Sequence, residues 1–218
     1  MGDVVQGGAG TGDKAQPADR GALMAWPCWD GQMTVLQQQQ EMVLVIGENI
    51  KVRRFARFAD GFNVPYVHAG GKIGVLVSLN VEGGIDATEI GKDVAMQIAA
   101  LNPRFWDKSQ VTQDVLDEEK KIMLVQMSND PKMASKPDQV KEKIVLGKLN
   151  KFYAENCLLQ QEFVKDNSMT VEQYMNAVAK EAGVKVTLKD AVRFEKGEGS
   201  EKKQDDSAAE IAAVAGGR

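Results

Sequence analysis

Between Ile73 and Leu79 the chain alternates strictly. Ile73, Val75, Val77 and Leu79 fall on one side and Gly74, Leu76 and Ser78 on the other, which predicts a strand with one fully apolar face that needs a cover. Upstream, GENIKVRRFARF from Gly47 is a second β-rich run. Ile50 and Val52 share a face there until Arg53 and Arg54 break the alternation before Phe55, predicting a bulge or a change of face. The two runs are joined by ADGFNVPYVHAGG, a polar Gly/Pro-bearing connection, so an antiparallel pair is expected. That connection carries Tyr66 and the sequence's one histidine, His68. Loops held by a rigid sheet are common places for partner contacts.

The remaining periodicities are helical or mixed. Val35, Leu36, Met42, Val43 and Ile46 predict a helix over 33–46 that Gly47 ends. Asp86, with Glu89 three residues on, opens a second helix, in which Ile90, Val94, Ile98 and Leu101 recur beside Ala95 and Ala99 until Asn102 and Pro103 stop it. This helix can close on the apolar face of the sheet. A narrow stripe of Val111, Val115, Ile122 and Val125 on a charged helix is followed, after SNDPKMASKP, by Val145, Leu149 and Phe152 on another. Two such helices with a short polar link predict a protruding antiparallel hairpin, with Pro131 and Pro137 in the link. LLQQEFVKD, residues 158–166, reads as extended chain returning to the core. Thr170 and Gln173 form a capping box for a helix that Gly183 ends. AVRFE, residues 191–195, predicts a third strand with Val192 and Phe194 inward, GEGS its turn, and residues 208–215 an Ala-rich terminal helix.

The fold class is therefore α+β, a small antiparallel sheet covered by helices. The expected segments are a disordered tail (1–32), a core (33–107), the hairpin (108–157), the core continued (158–199) and a C-terminal helix (200–218). The tail has few apolar residues to offset the entropy of ordering. Its GGAGTG from Gly7 lacks the strand and GK[ST] of a phosphate loop and reads as linker, and GGKI at Gly70 fails the same spacing. Trp26, Cys28 and Trp29 form either a short docking segment or part of that tail, with Pro27 preventing regular helix.

Of 218 residues, 43% are hydrophobic and 27% charged, enough for one well-buried domain or two small ones. A net charge of −4 gives no overall electrostatic reason to bind nucleic acid or an anionic membrane, which points to a protein partner. Cys28 and Cys157 lie in no CxxC, so neither a disulfide framework nor a zinc site is indicated, and reduced thiols in a cytoplasm fit best. No apolar run is long enough for a membrane span and no secretory signal is evident. With one histidine, no GxSxG and no Cys/His pairing, a hydrolytic triad, a catalytic metal and a cofactor all lack sequence support.

GENIKVRRFARF followed by YVHAGGKIGVLV resembles the core domain of translation elongation factor Ts, and DVAMQIAALNPRF, NDPKMASKP, KEKIVLGKLNKFYAENCLLQQEFVKD and AVRFEKGEGSEKK continue that resemblance in order from about Val45 to the C-terminus. The resemblance implies a core sheet with helices, interrupted by an antiparallel coiled-coil hairpin. It also implies a protein, not an enzyme, that binds elongation factor Tu in its GDP-bound and nucleotide-free forms and promotes GDP release. The partner contacts it implies are Tyr66 and His68, Val164 and Lys165, and Ala209 and Ile211 of the terminal helix, with self-association through the hairpin in some members. For His68 the alternative is a histidine hydrogen-bonded within its own turn. Val164 fits a core position equally well, and the charged hairpin face is often only solvated. Arg53, Arg54 and Arg57 read either as a basic strip or as surface arginines on a strand.

The chain departs from the family's pattern in places. The usual N-terminal three-helix module and Thr-Asp-Phe segment are not found in residues 1 to about 40, Ser207 stands where phenylalanine is usual, Ser200 where an aliphatic residue is, and Glu162 where proline is common. These departures predict weaker docking of the terminal helix and slower GDP release than a family member with both parts would give. The alternative function is an elongation factor Tu-binding or self-associating module without exchange activity.

Overall fold

The computed structural model of the chain describes residues 17–28 and 31–198. The Gly7 run, Trp29, Ser200, Ser207 and the expected terminal helix with Ala209 and Ile211 lie outside the described residues. Within the expected tail, Asp19 accepts a hydrogen bond from the Ala22 N–H at 2.8 Å and starts a helix, α1 (Arg20–Ala25), which stops at Trp26 ahead of Pro27. The expected disordered tail therefore does not extend over Arg20–Ala25. The cap does what apolar burial does not, since α1 buries no residue. A bridge between Pro27 and Thr34 leads into α2 (Val35–Ile46). The Thr34–Gln37 capping box fixes its start, and Gly47 at φ 75 ends it as expected.

Residues 51–59 form no strand, so the first strand was misplaced. β1 (Phe62–His68) instead occupies the stretch read as connection, where Phe62, Val64 and Tyr66 alternate on one face. Pro65 is tolerated because β1 is an edge strand. The arginine-bearing run lies against the sheet's outer face. There the Asn63 amide donates to the Phe58 carbonyl at 3.2 Å and the Ser78 hydroxyl to the Asp60 carbonyl at 3.0 Å. Arg54 stacks 4.8 Å from the Phe194 ring centroid and pairs with Glu198 at 2.9 Å. The arginines are thus neither on a strand nor at a bulge in one.

β2 (Ile73–Glu82) is the central strand of an antiparallel sheet ordered β1-β2-β5, with β5 spanning Lys185–Glu195. The inner face runs in cross-strand rows: Phe62, Leu79, Leu188; Val64, Val77, Ala191; Tyr66, Val75, Arg193. A register shift at Ser78/Leu79 makes Lys189 an extra residue on β5 and reverses its parity. Val186, Leu188 and Ala191 therefore face the core, and Val192 and Phe194, expected inward, face out.

The cover is α3 (Thr88–Leu101), whose Ile90, Val94, Ala95, Ile98 and Ala99 are buried, whereas Leu101 is 48% exposed. Asp86 accepts from the Thr88 N–H at 2.9 Å, and the helix stops at Asn102 with φ 45. Next come α4 (Gln113–Asn129), the short α5 (Pro131–Ala134) and α6 (Asp138–Asn156). The expected helix pair is present, but its α4 stripe differs. Met123 is buried in one cluster with Leu149 and Phe152 of α6, and Met127 is buried too, while Ile122 and Val125 are exposed. The unbranched methionine side chain fills this seam, and a reading based on branched aliphatics passes over it. Residues 158–160 form a 3-10 turn, after which β3 (Glu162–Phe163) and β4 (Asp166–Thr170) make a small hairpin where extended chain was expected. The Thr170–Gln173 capping box opens α7 (Val171–Glu181), and Val171, Met175 and Ala179 complete the main core. No helix among the described residues is long and apolar enough to cross a membrane.

Candidate functional site

The β3–β4 hairpin turns at Val164 and Lys165, with Phe163 paired to Asp166. Val164 is 43% exposed and so is not a core residue. Its N–H donates to Gln97 Oε1 at 2.8 Å. Gln97 itself is fully buried, and its Nε2 donates to Gln161 Oε1 at 3.2 Å and to the Glu162 carbonyl at 3.0 Å. Lys165 Nζ is ion-paired with Asp93 Oδ1. Asp93 Oδ2 accepts from the Tyr174 hydroxyl at 2.6 Å. Burial first, and then this bond to a carboxylate, push the Tyr174 hydroxyl far above its ordinary pKa, so it stays a donor. Its ring stacks on Phe163 at 4.2 Å between centroids.

Asp93, Gln97, Gln161 and Tyr174 were not read as site residues. The signal was present in α3, where Asp93 and Gln97 lie four apart and interrupt an apolar stripe. A polar pair on a buried face must find partners.

Tyr66 and His68 share the inner face of β1 near its end, in the strand and not in a loop. The Tyr66 hydroxyl and His68 Nδ1 are 3.1 Å apart, and the rings stack at 5.8 Å with 30° between planes. The turn that follows uses Ala69, Gly70 and Gly71 at φ 51, 65 and 89. His68 is therefore not a loop histidine bonded within its own turn, since its partner is Tyr66 two residues back in the same strand, and both rings remain partly exposed. Beside them Arg193 pairs with Glu195 at 2.8 Å, in the rows adjoining Val75 and Ile73.

The structure thus joins Tyr66 to His68 and Val164 to Lys165, and α3 holds the second pair and meets the strand that carries the first. Gly91 of α3 sits on Val64 of β1, and Asp93 and Gln97 hold the turn. Among the described residues, no group of three or more His, Cys, Asp or Glu could hold a metal ion. The arrangement offers partly apolar surface features on a rigid support.

The family model for elongation factor TS matches residues 5–198, starting well before Val45, where the motif-by-motif resemblance begins. Elongation factor Ts of Trichlorobacter lovleyi is 46% identical over 208 residues, covering 92% of this chain and 66% of that protein. The Clostridium kluyveri elongation factor Ts is 43% identical over 185 residues, 84% of this chain and 59% of that one. The Syntrophotalea carbinolica protein of that name is 41% identical over 204 residues, 92% and 66% respectively. The chain therefore spans about 59% to 66% of the length of these relatives. With a family match over nearly all its length and relatives at these identities, the chain belongs to the elongation factor Ts family.

Proposed function

We propose that this chain binds elongation factor Tu, in its GDP-bound and nucleotide-free forms, and promotes GDP release during protein synthesis in the cytoplasm. The observation that carries this reading is the family match over residues 5–198. Such a function needs no acid, base or metal. A partner that prefers nucleotide-free elongation factor Tu must, by linkage, weaken GDP binding by the same factor. What it needs is complementary surface, and the Tyr66–His68 pair and the Val164–Lys165 turn are the described candidates. Outside the described residues, Ala209 and Ile211 are further candidates by resemblance.

Release of a fluorescent GDP analogue from elongation factor Tu, followed by stopped flow with increasing amounts of the chain, tests the proposal. A saturable rise in release rate is expected. Binding without such a rise would reduce the function to that of a binding module. His68→Ala should weaken binding by about 1–2 kcal/mol in calorimetry without lowering the melting temperature much. Unchanged affinity would return His68 to a purely structural role.

A second proposal, self-association through α4 and α6 packed as a protruding coiled coil, is favoured by the exposure of Leu124, Val125, Val140 and Leu146 on these two helices.

A further inference from the structure

A buried side-chain amide is costly unless its hydrogen bonds are met, and an apolar side chain would fill the place of Gln97 more cheaply. Gln97 directs its whole amide at one small hairpin, through Val164, Gln161 and Glu162. Gln161 passes the support on, its Nε2 donating to the Glu155 carbonyl of α6 at 2.9 Å. Asp93, only 8% exposed, uses both carboxylate oxygens in the same place, one on Lys165 and one on Tyr174. Tyr174 returns to the hairpin by stacking on Phe163, the residue before the turn. Every residue from Gln161 to Lys165 is thus held from below by α3 or α7, while the Val164 side chain is left exposed.

We propose that Asp93 and Gln97 are positioning residues that hold the Val164–Lys165 turn as a rigid, charge-balanced apolar knob, and that the surface it fits is an apolar socket on a folded protein. This inference rests on the reading that the chain binds elongation factor Tu. Pre-ordering matters because a turn that must be ordered on binding loses affinity to that ordering. Charge balance matters because an unpaired ammonium beside Val164 would have to be stripped of water on entering an apolar socket. An acidic groove would be the poorer fit, since it would compete with Asp93 for Lys165.

The test uses the full chain with purified GDP-bound elongation factor Tu as the probe, with affinity read by calorimetry and amide exchange at Val164 and Lys165 read by NMR in the free chain. Asp93→Asn keeps the shape and frees Lys165. It should speed exchange at the turn and weaken binding about tenfold, or about 1.4 kcal/mol. Lys165→Met alone strands the Asp93 charge and should also weaken binding. Combined, the two changes remove both charges and should restore affinity to within about threefold of wild type, a coupling that general loss of stability does not produce. Val164→Asp should bind at least about a hundredfold more weakly.

Additive losses in the double variant, or unchanged exchange and affinity in Asp93→Asn, overturn the inference. So does Lys165→Met abolishing binding while Asp93→Asn strengthens it, which would mean that Lys165 meets an acidic surface. If Asp93→Asn no longer melts cooperatively, Gln97→Met reads the same support, and slow exchange at Val164 in that variant overturns the inference. A wild-type chain that does not bind elongation factor Tu refutes the functional reading, and this inference with it. Wild-type binding with an indifferent turn refutes this inference alone.

Discussion

One absent methyl group sets how closely α3 lies on β1. A Cβ at Gly91 would come within 2.4 Å of Val64 Cγ2 and 2.7 Å of its Cβ, and Val64 is itself buried. Alanine would favour the helix by up to about 1 kcal/mol. Overpacking a filled core costs about 1–3 kcal/mol, so the clash should win. Gly91→Ala should therefore lower the urea midpoint, and adding Val64→Ala should recover part of the loss; a Gly91→Ala protein as stable as wild type would show that the two elements can part cheaply. Cys157 offers a different kind of test. It is fully buried at the foot of α6, and burial, with the Asp107 carboxylate adding to it, pushes the thiol from 9.0 up to about 11. The unfolded chain gives up this proton first, so the thiol's contribution to stability is intact below pH 9.0 and is lost as pH rises toward about 11. Urea titrations should show wild type losing more stability than Cys157→Ala over that window. Parallel losses would mean that the thiol ionises normally in the fold.

At the scale of elements, the main core and the α4–α6 seam are two clusters that share no buried residue. The seam draws on Val111, Met123, Leu149, Phe152 and Cys157, while the sheet, α3 and α7 bury one another. Replacing residues 113–155 by a short Gly/Ser linker should leave a core that melts cooperatively, and it should abolish any self-association seen by sedimentation. Loss of cooperative melting would mean that the helix pair is part of the core. β2, α3 and α7 were legible in the sequence because their apolar positions recur at regular spacing and their ends are marked by Asp86, Thr170 with Gln173, and Asn102. β1 was not. Its alternation is intact, but the outward positions hold Asn63 and Pro65, residue types that mark turns, whereas the part of the strand-like run from Arg54 to Phe58 lies along the sheet's outer face. The inward residues of β5 were misread because one extra residue, Lys189, inverts every position beyond it, and nothing local announces a bulge. Of the candidate site, Tyr66, His68, Val164 and Lys165 were named through resemblance. The supports under them were not, because Gln97 and Gln161 declare their role only when partners distant in sequence close their hydrogen bonds.

For the whole molecule, on the proposed function, the question is what binding alone can do to a nucleotide held by another protein. Surface contact alone gives affinity. It changes GDP binding only as far as the chain prefers one state of its partner over the other, since a ligand with equal affinity for both states shifts nothing however tightly it binds. The measurable quantity is therefore a ratio: the dissociation constant for GDP-bound elongation factor Tu over that for the nucleotide-free form. By reciprocity it must equal the factor by which saturating chain weakens GDP affinity, and couplings of this kind are typically about 5- to 150-fold. We expect a ratio in that range from calorimetry on both forms, matched within error by GDP titrations with and without the chain. His68→Ala should lower both affinities alike if the histidine only holds the partner, leaving the ratio unchanged, and should lower the ratio if it acts on the nucleotide-dependent state. A ratio of one for the wild-type chain, with tight binding to both forms, would show that these 218 residues dock on elongation factor Tu without moving its nucleotide.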